Sequence, residues 1–187
     1  MKVERLELPD VILVTPIVRG DARGAFHEAW QLARYRDAGL PDHWVQDNVS
    51  RSCRNVLRGL HFQHPRAQGK LVSVMMGEIF DVAADVRRGS PTFGRSVCVV
   101  LSATSARQLF VPPGFAHGFV VTSDEAVVHY KCTESYFPDS ERTIAWNDPA
   151  LAIDWPVNSP ILSVRDAAAT RLADLERDEL PVYEAAR

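Results

Sequence analysis

Apolar side chains recur along this chain in short runs cut by turn-forming residues, not at helical spacing. Such runs cover 11–18, 45–50, 56–62, 71–76, 79–86, 97–101, 108–111, 118–122, 126–132 and 143–146. Runs of four to eight residues with alternating or continuous apolar character, bounded by Gly, Pro, Asn and Ser, predict β-strands. Their number suits an all-β jelly-roll sandwich or barrel, and closing the sheet would protect its edges. Gly77-Glu78 predicts a tight link between two strands, whereas Gly89-Ser90-Pro91 and Pro112-Pro113-Gly114 predict loops. Helical signal is confined to 30–38, stopped by Gly39 and Pro41, and to 166–177 with apolar Leu172, Ala173 and Leu175. These short helices are peripheral to one domain over 1–187, with an N-terminal arm over about 1–30 and a C-terminal tail over about 166–187.

Alternation sorts strand residues by face. In 80–86, Phe80, Val82, Ala84 and Val86 share one side, and Asp81 and Asp85 share the other. Gln46 and Asn48 share a face, and Tyr130 points with Val128 and Cys132 to the apolar side. A phenol at such a position needs a hydrogen-bond partner, met either by a backbone carbonyl in a structural role or by chemistry in a pocket.

Charge narrows the field further. The 24 acidic and 21 basic residues of the 187 give a net charge of −3, which offers no basic field for nucleic acid. The N-terminus lacks the apolar core of a signal peptide, and no window approaches a membrane span, so a cytoplasmic protein is expected, with no membrane partner. Cys53, Cys98 and Cys132 form no CxxC pair and read as reduced thiols, not as a disulfide framework or a thiolate zinc site.

The densest chemistry is Arg58-Gly59-Leu60-His61-Phe62-Gln63 followed by Gln68-Gly69-Lys70. A titratable imidazole lies here between a fixed cation and a tunable ammonium, which are the elements of a base, an oxyanion partner and a phosphate clamp.

With these stand Val45-Gln46-Asp47-Asn48, Gly77-Glu78-Ile79-Phe80-Asp81-Val82, Ser90-Pro91-Thr92-Phe93-Gly94, Pro113-Gly114-Phe115-Ala116-His117-Gly118-Phe119, the block from Tyr130 to Glu141, Trp146-Asn147-Asp148-Pro149 and Leu162-Ser163-Val164-Arg165-Asp166. In this order and spacing the chain resembles the dTDP-4-dehydrorhamnose 3,5-epimerase family over roughly 3–166. The resemblance implies a cupin-type jelly roll, a homodimer, no cofactor or metal, and a dTDP-linked 4-keto-6-deoxy sugar as substrate. The C4 carbonyl of that sugar acidifies the protons on C3 and C5. Epimerisation therefore needs a base, a group that stabilises the enolate oxygen, and an acid on the opposite ring face.

By resemblance His61 is the base, Asp166 the carboxylate that orients it, Lys70 the group at the C4 oxygen and Tyr130 the proton donor. Arg58 and Arg23 resemble the diphosphate clamp, and Phe26 and Tyr136 the residues lining the thymidine. Glu28, Gln46, Asn48, His117 and Glu141 match further polar positions of the pocket. Ala25, Phe62 and Cys132 depart from frequent family residues without removing a catalytic group. Relatives with the same His, Lys and Tyr include enzymes that epimerise C3 alone or C5 alone.

Two other classes compete. Pro112-Pro113-Gly114-Phe115-Ala116-His117 fits half of a cupin metal motif, with His61 and His64 as partners, but the His-x-His half is missing. A non-catalytic sugar-nucleotide-binding module would have lost the His, Lys or Tyr, and all three are present.

Overall fold

A computed structural model describes residues 1–184. In chain order its elements are β1 (Lys2–Arg5), β2 (Ile12–Thr15), β3 (Arg19–Asp21), β4 (Gly24–Phe26), α1 (Leu32–Asp37), β5 (Gln46–Cys53), β6 (Leu57–Gln63), β7 (Lys70–Met76) and β8 (Glu78–Asp85). They continue with β9 (Ser96–Ser102), β10 (Gln108–Val111), β11 (Phe115–Val121), β12 (Glu125–Cys132), β13 (Glu141–Thr143) and α2 (Val164–Ala167). Each of the ten expected strand segments meets a strand, although the last is shifted from 143–146 to β13. The unexpected β1, β3 and β4 are three or four residues long, too short for alternation to mark them.

Two antiparallel sheets face each other, with orders β1-β2-β10-β7-β12-β5 and β13-β6-β11-β8-β9. This is the jelly-roll sandwich, but its sheets are open and not closed as the edge argument expected. Edges β5 and β13 flank the mouth of a cleft. Of the expected arm, β1 and β2 are incorporated in the six-stranded sheet, and the β3–β4 hairpin forms a separate ribbon.

Both sheets bury their inner faces in one core. Val72 and Val74 of β7 and Val128 of β12 meet Ile79 and Ala83 of β8 and Phe115 and Phe119 of β11. The five-stranded sheet is covered on its other face as well. Leu57, Leu60 and Phe62 of β6 and Val82, Ala84 and Val86 pack there against Leu151, Trp155, Leu172 and Leu180. Strand β8 is thus buried on both faces, which puts Asp81 and Asp85 inside the sandwich with no exposed surface. Asp85 is held by Arg87, Ser90 and Thr92, and this caging satisfies a buried carboxylate.

The segment expected to be helical over 166–177 is not one helix. It holds α2, then a bridge between Thr170 and Ile144, then a 3-10 turn over Leu172–Asp174. Ala145 N donates to Thr170 O at 2.9 Å and Leu172 N to Asp148 Oδ2 at 2.6 Å. The backbone is diverted onto the sheet, where Leu172 gains burial that a free amphipathic helix would not give it.

Gly77 makes the crossing from β7 in one sheet to β8 in the other, at φ +77°. A Cβ at this position would fall onto the Glu125 carbonyl oxygen. Gly77→Ala should therefore cost roughly 2–3 kcal/mol from backbone strain and backbone overlap together. Urea denaturation measures this, and a loss below about 0.5 kcal/mol, the range of an ordinary surface change, would contradict the tight crossing.

Candidate active site

The polar end of the sandwich is built by six strands, β5, β6, β7, β11, β12 and β13. On β6 the alternation breaks: Leu57 and Leu60 both face the outer core, while Arg58 and His61 both line the cleft. Residues three apart on a regular strand point to opposite sides. The irregularity lies at Gly59, with φ +127°, where a Cβ would come 2.5 Å from Gly118 Cα. The pairing with β11 also shifts register between His117 and Phe119. Two glycines packed backbone to backbone thus aim a guanidinium and an imidazole into one space.

His61 Nε2 donates to Asp166 Oδ1 at 2.6 Å across 105 residues of sequence. Asp166 is 4% exposed, and Ser163 caps its short helix by accepting from Asp166 N at 3.1 Å. Burial acts to raise the Asp166 carboxyl, but the hydrogen bond and charge of His61 outweigh it and hold the group below the usual carboxylate range. With Nε2–H donating its hydrogen bond to the Asp166 carboxylate, the lone pair of the neutral imidazole is on Nδ1.

Lys70, at the start of β7, and Tyr130, on β12, face His61 from the other sheet. The three residues line both of two adjoining compartments, of 210 Å³ toward the mouth and 180 Å³ within. Burial pushes the Lys70 ammonium below the ordinary lysine range, against an upward pull from Cys132 and Asp81. Burial likewise raises the Tyr130 phenol, reinforced by Cys132 and opposed by Arg58. A phenol raised in this way keeps its proton at neutral pH and can donate it. Among the described residues the Tyr130 hydroxyl is hydrogen-bonded to none, so the backbone-carbonyl alternative has no support.

The remaining candidates divide into two groups. Gln46, Asn48, Tyr136 and Glu141 line the outer compartment, and Arg58 and His117 the inner one. Arg58 Nε donates to Ser52 Oγ at 3.1 Å, and Tyr136 Oη to Glu141 Oε2 at 2.7 Å. Arg23, Phe26 and Glu28 are not brought there. Arg23 pairs with Asp21 on the exposed hairpin at 2.6 Å, Glu28 with Arg34 at 2.8 Å, and Phe26 is 71% exposed. Within one chain these three residues lie away from the His61 cleft.

Three features escaped the sequence reading. Gln63 Nε2 donates to Ser135 O at 3.1 Å and Gln68 Nε2 to Glu134 O at 2.6 Å, pinning the segment that carries Tyr136. Arg165 is ion-paired with Glu141 at the mouth. Asp81, buried behind His117, was visible only as a carboxylate on the face opposite Phe80 and Val82. The metal alternative finds no ligand set. His117 Nε2 is bound to Asp81 at 2.8 Å, and no group of three His, Cys, Asp or Glu side chains among the described residues is placed to hold an ion.

A jelly roll whose open end presents a histidine–carboxylate pair, a buried lysine and an unengaged phenol defines a cupin-type acid–base enzyme. The sequence matches the model of the dTDP-4-dehydrorhamnose 3,5-epimerase family over residues 5–174. It is 53% identical to the dTDP-4-dehydrorhamnose 3,5-epimerase of Pseudomonas aeruginosa over 94% of this chain and 98% of that one. The structure superposes on the epimerase of Legionella pneumophila, solved with dTDP-4-keto-L-rhamnose, with a TM-score of 0.95 at 49% identity, covering 98% of this chain and 99% of that one. It also superposes on a 3'-monoepimerase of Streptomyces bikiniensis solved with dTDP-quinovose, with a TM-score of 0.89 at 36% identity over 95% and 92% of the two chains. The chain belongs to the dTDP-4-dehydrorhamnose 3,5-epimerase family, a family of isomerases. No helix among the described residues is long and apolar enough to cross a membrane.

The depressed Asp166 carboxyl stabilises the fold above its unfolded pKa, and this contribution is lost as pH falls through the lower folded value. The stability difference between wild type and Asp166→Asn should therefore shrink from pH 5 to pH 3 in urea titrations. A difference that grows over this range would contradict the assignment.

Proposed function

We propose that this protein inverts C3 and C5 of dTDP-4-dehydro-6-deoxy-D-glucose to give dTDP-4-dehydro-L-rhamnose, by successive enolisation and reprotonation without a cofactor. The observation that carries the proposal is the convergence of His61, Lys70 and Tyr130 on one space from two facing sheets.

His61 Nδ1 removes the proton alpha to the C4 carbonyl, and Asp166 stabilises the imidazolium that forms. Lys70 meets the C4 oxygen as it becomes an enolate, in a buried setting where a positive charge acts strongly. Tyr130 returns a proton from the opposite sheet, hence from the opposite ring face. Arg58 pairs with the diphosphate, for which its planar donor fork is suited. Tyr136 offers its ring to the thymine, and Gln46, Asn48, His117 and Glu141 complete the polar lining.

Arg23, Phe26 and Glu28 act in this scheme through a homodimer. Arg23 and Phe26 are on the β3–β4 hairpin and Glu28 follows it, away from their own cleft; Phe26 and Glu28 line a separate 350 Å³ groove with Met1 and Ile17, so the three serve the cleft of a second copy. A monomeric mass by light scattering would remove this arrangement. One domain with this hairpin as its arm, working in the cytoplasm, is consistent with the free thiols of Cys53, Cys98 and Cys132.

A second reading, inversion at C3 alone, is favoured by the likeness to the monoepimerase. Product stereochemistry separates the two.

His61→Asn should abolish solvent exchange, by about 10³-fold or more for a lost general base, and leave dTDP affinity nearly unchanged. Tyr130→Phe should still wash deuterium into the sugar and fail to invert it, because removal and return on one face need only the histidine. Exchange and stereochemistry are read on the same sample by NMR. Normal inversion by a folded Tyr130→Phe protein would contradict the roles given.

A further inference from the structure

Lys70 and Asp81 are two buried charges of opposite sign, and neither is fully paired. Lys70 is 7% exposed and Asp81 0%. Asp81 Oδ1 accepts from His117 Nε2 at 2.8 Å, while its buried Oδ2 has no hydrogen-bond partner among the described residues. The Lys70 ammonium has no ion-pair partner among those residues either, although it lines the inner compartment together with His117, the residue bound to Asp81. An isolated buried ammonium sheds its proton, and an isolated buried carboxylate takes one up, unless each feels the other.

We infer that Asp81 is a positioning residue, the counter-charge that keeps Lys70 an ammonium and holds His117 with Nε2 protonated. This rests on the enolate reading given above. A neutral amine at Lys70 would be a weak partner for the C4 oxygen, so the carboxylate behind His117 sets the pH range in which the pocket can stabilise an enolate.

The other groups around Lys70 do not substitute for Asp81. Arg58 and His61 on β6 carry or gain positive charge, and His117 on β11 is engaged with Asp81 itself. Tyr130 and Cys132 on β12 are both raised by burial, so the upward pull of Cys132 on Lys70 acts only where its thiol is ionised. Of the nearby carboxylates, Asp166 is committed to His61 and Glu141 to Arg165 and Tyr136.

The chain has three lysines, Lys2, Lys70 and Lys131, so ¹³Cε-lysine NMR follows Lys70 directly, with Lys70→Arg identifying its signal. In Asp81→Asn, which keeps the shape and an acceptor for His117, the Lys70 midpoint should fall by about one pH unit. The alkaline limb of the deuterium-exchange profile should fall with it, while dTDP affinity stays within twofold. A purely structural role for Asp81 would leave the midpoint in place, and an unmoved midpoint overturns the inference.

Should Asp81→Asn alone fail to fold, the double variant Asp81→Asn/Lys70→Met, which removes both charges, should fold. Failure of that double variant also overturns the inference. The midpoint is read without substrate. Wild-type protein inactive on the keto sugar would therefore defeat the functional reading and leave the Lys70 result to stand or fall on its own.

Discussion

The hydrogen bond between His61 and Asp166 ties a strand in the middle of the chain to a four-residue helix near its end. An isolated helix of that length has no stability in water, so the fold must hold Asp166 in place. Leu57 N donates to Ile161 O before α2, and Ala145 N donates to Thr170 O after it. Leu172 and Trp155 anchor the same segment on the outer face of the five-stranded sheet. Removing the tail would therefore cost the core its cover and the histidine its carboxylate together.

A second constraint is the cost of charge inside a sandwich. The inner face is apolar from Leu13 to Val128 and becomes ionic where β5 and β13 leave the sheets open. Arg58, Lys70 and Asp81 would be expensive in a closed barrel, which has no solvent-filled mouth to relieve them. The open edge lowers that cost and supplies the entrance for a nucleotide sugar. The tight glycine contact of Gly59 with Gly118 adds a local departure from the pleat, and such departures concentrate at functional sites.

Much of this was legible in the sequence because a half-buried strand writes its faces into alternate residues. Tyr130 beside Val128 and Cys132, and Gln46 beside Asn48, point as their spacing predicts. The pairing of Arg58 with His61 on one face was not legible by alternation, since Gly59 breaks the register between them. Nor was Asp166, whose approach to His61 depends on the diversion of 168–172 onto the sheet, where a helix was expected. The hairpin carrying Arg23 and Phe26, with Glu28 just after it, gave little periodic signal, because all of its strand residues are exposed. Its place relative to the cleft is a tertiary property that only coordinates reveal.

The central claim is that one chain enolises its substrate toward both neighbours of the C4 carbonyl and reprotonates each on the opposite face. Incubating the wild-type protein with dTDP-4-keto-6-deoxyglucose in deuterated water, then locating the label by NMR, tests it most directly. Deuterium at both C3 and C5 of an inverted product is the result the account predicts. Label confined to one carbon, or inversion without label, would contradict it.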